Sequence, residues 1–288
     1  MTLKEKLNSD KFIVTSEIGP PKGINTAKSL EDAELIRNRV DAINVTDLQS
    51  AVMRLGSMVT CYLLKQRGID SIYQISCRDR NRLALQSDLL SAAVLGIENV
   101  LIITGDHPKC GDHPEAMPVF DLDSVHLIEA AKQLQSGKDL SGKELDGTPS
   151  FCIGAAVNPT AEPVEPEIIK MEKKAAAGAE FFQTQAVFDA EKFKEFLNLT
   201  KHINVPVLAG IVLLKSAAMG RFMNKNIPGV CVPDKFIEQM DKASDKQEKS
   251  IEIAARTIDE IKGLCRGVHI MPIGWAKVVL PLLDAARL

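Results

Sequence analysis

Two acidic residues stand where acid chemistry would be possible. Glu17 interrupts the run Phe-Ile-Val-Thr-Ser-Glu-Ile (12–18), which is otherwise suited to burial. Burial pushes a carboxyl toward its neutral form, and a neutral carboxyl near pH 7 is a proton donor. The plainer reading is a structural ion pair with a nearby Lys or Arg. Asp106 lies in Ile-Ile-Thr-Gly-Asp-His-Pro-Lys-Cys-Gly-Asp-His-Pro (102–114), which writes Asp-His-Pro twice, at 106–108 and 112–114. Asp, His and Cys are all metal-ligand types, but the spacing matches no zinc pattern, so no metal is expected. The Gly and Pro residues point instead to a fixed loop held against a ligand.

Further polar residues close other apolar runs. Thr46-Asp47, Ser76-Cys77-Arg78-Asp79, Asn158-Pro159, Lys215-Ser216 and Gly274-Trp275 each follow one, and Gln183 and Gln185 sit inside another. Buried polar groups need partners. Repetition of the pattern along the chain suggests a large polar ligand, such as a cofactor together with a substrate. Trp275, the single tryptophan, either seats the last helix on the rim or stacks on an aromatic ligand.

The elements that must carry these residues are eight short, apolar, often β-branched runs: 12–18, 42–46, 71–77, 99–104, 150–157, 181–187, 206–212 and 268–273. Such runs read as strands buried on both faces. Helical patterns separate them, at 29–40, 52–66, 81–95, 122–134, 166–177, 190–200 and 217–224, with extra helix over 234–261 and a last helix over 275–286. Ser29-Leu-Glu-Asp has the form of a helix start. Gly68, Gly96 and Gly178 fall where left-handed helix caps belong. Strict alternation implies a parallel sheet, and eight units imply closure into a single-domain α/β (β/α)8 TIM barrel over 1–288. An open doubly wound sheet fits less well, because no G-x-G-x-x-G follows the first strand. In such a barrel the chemistry sits at the carboxyl ends of the strands, where the polar residues fall. The segment 136–149 reads as a loop at the opposite end.

Bulk properties agree with this. The chain has 288 residues, and a barrel takes roughly 250. Net charge is -3, which gives no basis for binding nucleic acid or an acidic membrane. No apolar run approaches a membrane span, and the N-terminus lacks a signal-type stretch. The 6 cysteines form no C-x-x-C pair, and Cys77, Cys152 and Cys231 lie in or beside apolar runs, so a reducing, cytoplasmic setting with cysteines as core residues is expected.

Five segments together resemble the methylenetetrahydrofolate reductase family: Ser-Glu-Ile-Gly-Pro-Pro-Lys (16–22), Asn-Val-Thr (44–46), Ile-Thr-Gly-Asp-His-Pro (103–108), Ala-Ala-Ala-Gly-Ala-Glu-Phe-Phe-Gln-Thr-Gln (175–185) and Phe-Asp (188–189). Order and spacing match over about 12–287, in the manner of the short bacterial form. The resemblance implies an α/β barrel with a non-covalent flavin, FAD or alternatively FMN. It implies reduction of 5,10-methylenetetrahydrofolate to 5-methyltetrahydrofolate in the one-carbon metabolism that serves methionine biosynthesis. By the same resemblance, Glu17 protonates folate N10, and Asp106 tunes the flavin and stabilises the iminium cation. Gln185 and Trp275 fall at folate positions. Thr46, Gln74, Asp106, Glu167 and Lys174 fall at flavin positions, Lys174 at its phosphates. Four positions depart from the family pattern: Gln74 for a His, Gly154 for a Tyr, Ala217 for an aromatic that packs on nicotinamide, and Trp275 for an Arg. They leave the electron donor open between NAD(P)H and a partner protein, and homo- or hetero-oligomers are both compatible. Two other readings use the same residues. One is a flavin-less folate-binding or one-carbon subunit of a larger redox complex. The other is a metal-dependent aldolase or lyase built on the 106–113 loop.

Overall fold

A computed structural model of the chain describes residues 1–227 and 229–288. Eight parallel strands close in sequential order: β1 (Ile13–Ile18), β2 (Ala42–Val45), β3 (Ser71–Ser76), β4 (Asn99–Ile103), β5 (Cys152–Val157), β6 (Phe181–Ala186), β7 (Val207–Val212) and β8 (Gly267–Met271). β1 pairs with β8 through Thr15 opposite His269, which completes the ring. Between the strands run α2 (Ala27–Ile36), α3 (Ser57–Lys65), α4 (Arg82–Val94), α5 (Ser124–Gln135), α6 (Glu165–Ala177), α7 (Ala190–Leu199) and α8 (Ala217–Asn226). α9 (Asp234–Lys242) and α10 (Lys246–Ile261) precede β8, and α11 (Ala276–Ala285) ends the fold. Among the described residues no helix is long and apolar enough to cross a membrane.

Strand residues alternate between two cores, as a two-sided sheet requires. Val14, Ile43, Ile75, Ile102, Ile153, Ile211 and Ile270 face the helices. Ile13, Ala42, Ile72, Leu101, Cys152, Phe181 and Leu208 fill the barrel floor. A short helix not foreseen from the sequence, α1 (Leu3–Leu7), plugs that floor with Leu3 and Leu7, one turn apart. Thr2 and Glu5 close its first turn as a capping box.

Four details differ from the sequence expectations. α3 begins at Ser57, not at 52, because 52–56 still belong to the loop after β2. α2 begins at Ala27, not at Ser29, whose hydroxyl donates to Gly19 O at 3.0 Å. Ser29 therefore ties the helix to the β1 loop instead of capping it. Cys77 and Cys152 are core residues as expected, but Cys231 is exposed, because the segment after α8 forms no strand. The extra helical stretch is two helices, α9 and α10, broken near Ala243–Asp245, with Asp245 capping the second. The left-handed glycines Gly68, Gly96 and Gly178 fall where expected.

Candidate active site

Above the apolar floor, the inward positions turn polar. Thr15 and Glu17 on β1, Asn44 on β2, Gln183 on β6 and His269 on β8 are all buried. Asn44 and Gln183 exchange two amide hydrogen bonds, at 2.8 and 3.1 Å. Gln183 Nε2 also donates to Thr15 Oγ1 at 3.2 Å, and Thr15 Oγ1 lies 3.0 Å from His269 Nδ1. His269 Nε2 in turn lies 3.7 Å from Glu17 Oε2. Gln49 Nε2 donates to the other carboxyl oxygen of Glu17 at 3.4 Å. Among the described residues no Lys or Arg pairs with Glu17, so the ion-pair reading of that residue does not hold; a histidine and an amide flank it instead.

One half of the mouth is laced together by loops. Asp47, its side chain fully buried, accepts from Ser76 N and Oγ at 3.0 and 2.9 Å and from both terminal nitrogens of Arg80 at 2.8 and 3.2 Å. It thereby joins the ends of β2 and β3. Arg78 donates to Asp106 O at 3.1 Å and to Leu48 O at 3.3 Å, joining the β2 and β4 loops. The β2 loop is strained: Leu48, Ser50 and Ala51 have φ of 45°, 57° and 56°. Left-handed backbone costs roughly 1–2 kcal/mol for such residues. Asp112 offsets that cost by accepting from Met53 N at 3.0 Å, while its other oxygen pairs with Lys22 of the β1 loop. Gly111 lets the loops meet, since a Cβ there would stand 1.8 Å from Ala51 O. The second Asp-His-Pro is thus a clamp across three loops. Among the described residues no cluster of three His, Cys, Asp or Glu is placed to hold a metal.

The other half is open. Ile103, Ala156 and Met271 are only partly buried, and Gln185 is exposed although its strand neighbours are buried. A bulge between β6 and β7 sets Gln185 there. Thr184 Oγ1 mends the broken ladder by accepting from Gly210 N at 2.9 Å and donating to Gln185 O at 2.7 Å. Gly210 is required beside it, because a Cβ would lie 2.3 Å from Thr184 O. At Gly154 a Cβ would lie 2.2 Å from Phe181 Cζ, so the Phe181 ring occupies the space that a larger residue would need.

The sequence-derived candidates divide between these halves. Glu17 and Asp106 share the mouth, linked through Gln49, Leu48 and Arg78; the Asp106 side chain is exposed and has no hydrogen bond of its own among the described residues. Thr46 Oγ1 is buried without a hydrogen-bond partner among the described residues. Gln74 is buried, and its amide makes no hydrogen bond among the described residues. Glu167 accepts from Asn158 N at 3.0 Å, fixing the turn after β5. Lys174 lies in the α6–β5 seam and donates to Ala156 O at 2.6 Å, beneath the rim. Burial lowers its pKa, which the Glu167 carboxylate partly restores. Trp275 precedes α11 half-buried, with Lys215 Nζ 5.4 Å from its ring centre, so the ends of β7 and β8 meet there. Ala217 is buried in the apolar cluster formed with α9. Sequence reasoning did not single out Thr15, Gln49 or His269. The signal available for His269 was a lone imidazole inside an otherwise apolar strand. Hollows of about 600 and 740 Å3 lie along α10 and beside α7, lined by none of Glu17, Thr46, Asp106 or Gln185.

A parallel (β/α)8 barrel with its polar groups gathered at the carboxyl-terminal mouth is built as a scaffold for chemistry on a bound ligand. The chain belongs to the methylenetetrahydrofolate reductase family, whose model matches residues 2–286. It is 24% identical over 318 residues to methylenetetrahydrofolate reductase 2 of Schizosaccharomyces pombe, covering 99% of this chain and 47% of that protein. It is likewise 24% identical to 5,10-methylenetetrahydrofolate reductase of Buchnera aphidicola, covering 73% of this chain and 69% of that one. A probable methylenetetrahydrofolate reductase (NADPH) of Caenorhabditis elegans is matched over 80% of this chain and 33% of its own length. The chain therefore spans about a third to a half of the length of the eukaryotic relatives. A protein from Clostridium thermocellum, described as binding two copies of 5-methyl-5,6,7,8-tetrahydrofolic acid, shares the fold with a TM-score of 0.70 at 20% identity, over 99% of this chain and 96% of that one.

Proposed function

We propose that this chain reduces 5,10-methylenetetrahydrofolate to 5-methyltetrahydrofolate, with a flavin, FAD or FMN, at the barrel mouth. The observation that carries the proposal is Glu17: a buried carboxyl at the mouth, flanked by His269 and Gln49 and, among the described residues, free of any Lys or Arg partner. That position puts a carboxyl within reach of a ligand at the mouth, with an imidazole and an amide beside it. Family membership supports the same reading.

Each remaining group has a part in it. Glu17 protonates N10 of the folate; the N10–methylene bond breaks, and the carbon stays on N5 as an iminium cation. Asp106 holds negative charge beside that cation, where a fixed anion lowers the barrier. Gln185, exposed on the open side, offers an amide to the pterin, and Trp275 a face to the aryl ring of the substrate. The flavin, when bound, supplies the hydride. The residues present fit such a group: the unpartnered Thr46 hydroxyl and the unbonded Gln74 amide await polar atoms, and Lys174, with one carbonyl partner, has N–H groups left for an anion. Glu167 keeps the β5 turn beside it in place. Ala217 presents no ring to a nicotinamide, which leaves delivery of electrons by a partner protein as the alternative to NAD(P)H.

Glu17→Gln keeps the shape of the site and removes the proton. The variant should still hold a reducible flavin but reduce the folate at least about 100-fold more slowly, the usual lower range for loss of a general acid. Wild-type folate reduction by that variant would remove Glu17 from the mechanism.

A further inference from the structure

The β2 loop holds a left-handed backbone that its own residue types do not favour. Leu48, Ser50 and Ala51 all have positive φ, and none of them is a glycine. Such a backbone persists only where its surroundings fix it, and it gathers at functional sites. Here the loop is fixed on both sides of Gln49. Before it, Leu48 O accepts from Arg78 at 3.3 Å. After it, Met53 N donates to Asp112 at 3.0 Å, and Ala51 lies so close to Gly111 that a Cβ there would stand 1.8 Å from Ala51 O. Leu55 N donates to Pro21 O at 2.8 Å and Lys22 pairs with Asp112, so the β1 loop is tied to the same point.

The residue held in this way is Gln49. It is exposed, and the side chain of an exposed glutamine ordinarily ranges through several rotamers in solvent. This one reaches back and donates through Nε2 to Glu17 Oε1 at 3.4 Å, the one hydrogen bond that this carboxyl receives among the described residues. Gln49 thus stands on the solvent side of a carboxyl that is itself buried.

We propose that Gln49 is a positioning residue for Glu17, and that the second Asp-His-Pro, through Asp112, sets Gln49 by clamping the strained β2 loop. The proposal rests on Glu17 being the acid. The last torsion of a glutamate is broad, so a carboxyl that must meet one atom of a substrate gains from a partner that limits its rotation. Gln49 supplies that limit, and the clamp supplies Gln49. The proton still passes from Glu17 to N10; Gln49 and Asp112 neither gain nor lose one.

The test is a double-mutant cycle in the whole, flavin-loaded chain, read on the folate half-reaction. Gln49→Met keeps the length of the side chain and removes the amide. Its folate half-reaction should slow about 10-fold more than its flavin reduction does, the size expected for one lost hydrogen bond to a charged group. Asp112→Ala, at an exposed position on the rim, should give a similar loss. Asp112→Asn, which can still accept from Met53 N, should give a smaller one. Both changes act through one contact, so adding Asp112→Ala to Gln49→Met should slow the reaction no further. Losses that multiply, or a Gln49→Met as fast as wild type, overturn the proposal. Hydrogen exchange reads the clamp without turnover: exchange over 48–53 should rise in Asp112→Ala and stay at the wild-type level in Gln49→Met. A segment as protected in Asp112→Ala as in wild type also overturns it. Failure of the acid assignment is distinct, because it shows as an active Glu17→Gln; a slow Glu17→Gln beside a fast Gln49→Met removes the role of Gln49 alone.

Discussion

Lys174 shows what a single residue carries beyond its type. Its ammonium is buried with one carbonyl partner, and burial lowers its pKa from 10.5 against the upward pull of Glu167. Between that lowered value and 10.5 the unfolded chain binds more protons than the native one, so stability rises with pH across this alkaline window. Lys174→Met should flatten that rise, seen as a urea midpoint that no longer climbs as the pH is raised toward 10.5. An unchanged slope would mean that the amine is solvated in the native protein. An anion docked beside it would supply countercharge and reduce this dependence on pH.

At the scale of elements, the mouth depends on places where strands depart from regularity. The β6–β7 bulge exposes Gln185, and Gly210 makes the bulge possible. Gly154 yields its space to Phe181, so Gly154→Ala should destabilise the barrel by about 1–3 kcal/mol through overpacking. Thermal unfolding measures this, and adding Phe181→Leu should recover part of the loss; strict additivity of the two changes would contradict the contact. The eight strands were legible in the sequence to within a few residues, because burial on both faces writes a continuous apolar run. Helix starts were less legible. Ser29 carries the pattern of a cap but lies inside α2, because its hydroxyl is claimed by Gly19 O across the β1 loop. The five-residue α1 escaped notice because its two buried leucines gain meaning only once the barrel floor exists.

For the whole molecule, closure of the ring decides which residues meet. Glu17 and Asp106 were visible as acids in unusual settings. That Thr15 would meet His269 and Gln183 would meet Asn44 depends on strands 139 to 254 positions apart in sequence, a register that no local pattern encodes. The same holds for Asp112, which reads as half of a repeat and proves to be a clamp on Lys22 and Met53. A family resemblance brought the fold and Glu17 within reach, while the buried chain behind Glu17 emerges only once the strands are in register. The measurement that bears most directly on the central claim is an anaerobic one: the flavin-loaded protein is reduced, 5,10-methylenetetrahydrofolate is added without oxygen, and flavin absorbance and the folate product are followed together. The account expects flavin reoxidation matched one for one by 5-methyltetrahydrofolate. A flavin that stays reduced beside bound, unreacted folate would contradict it.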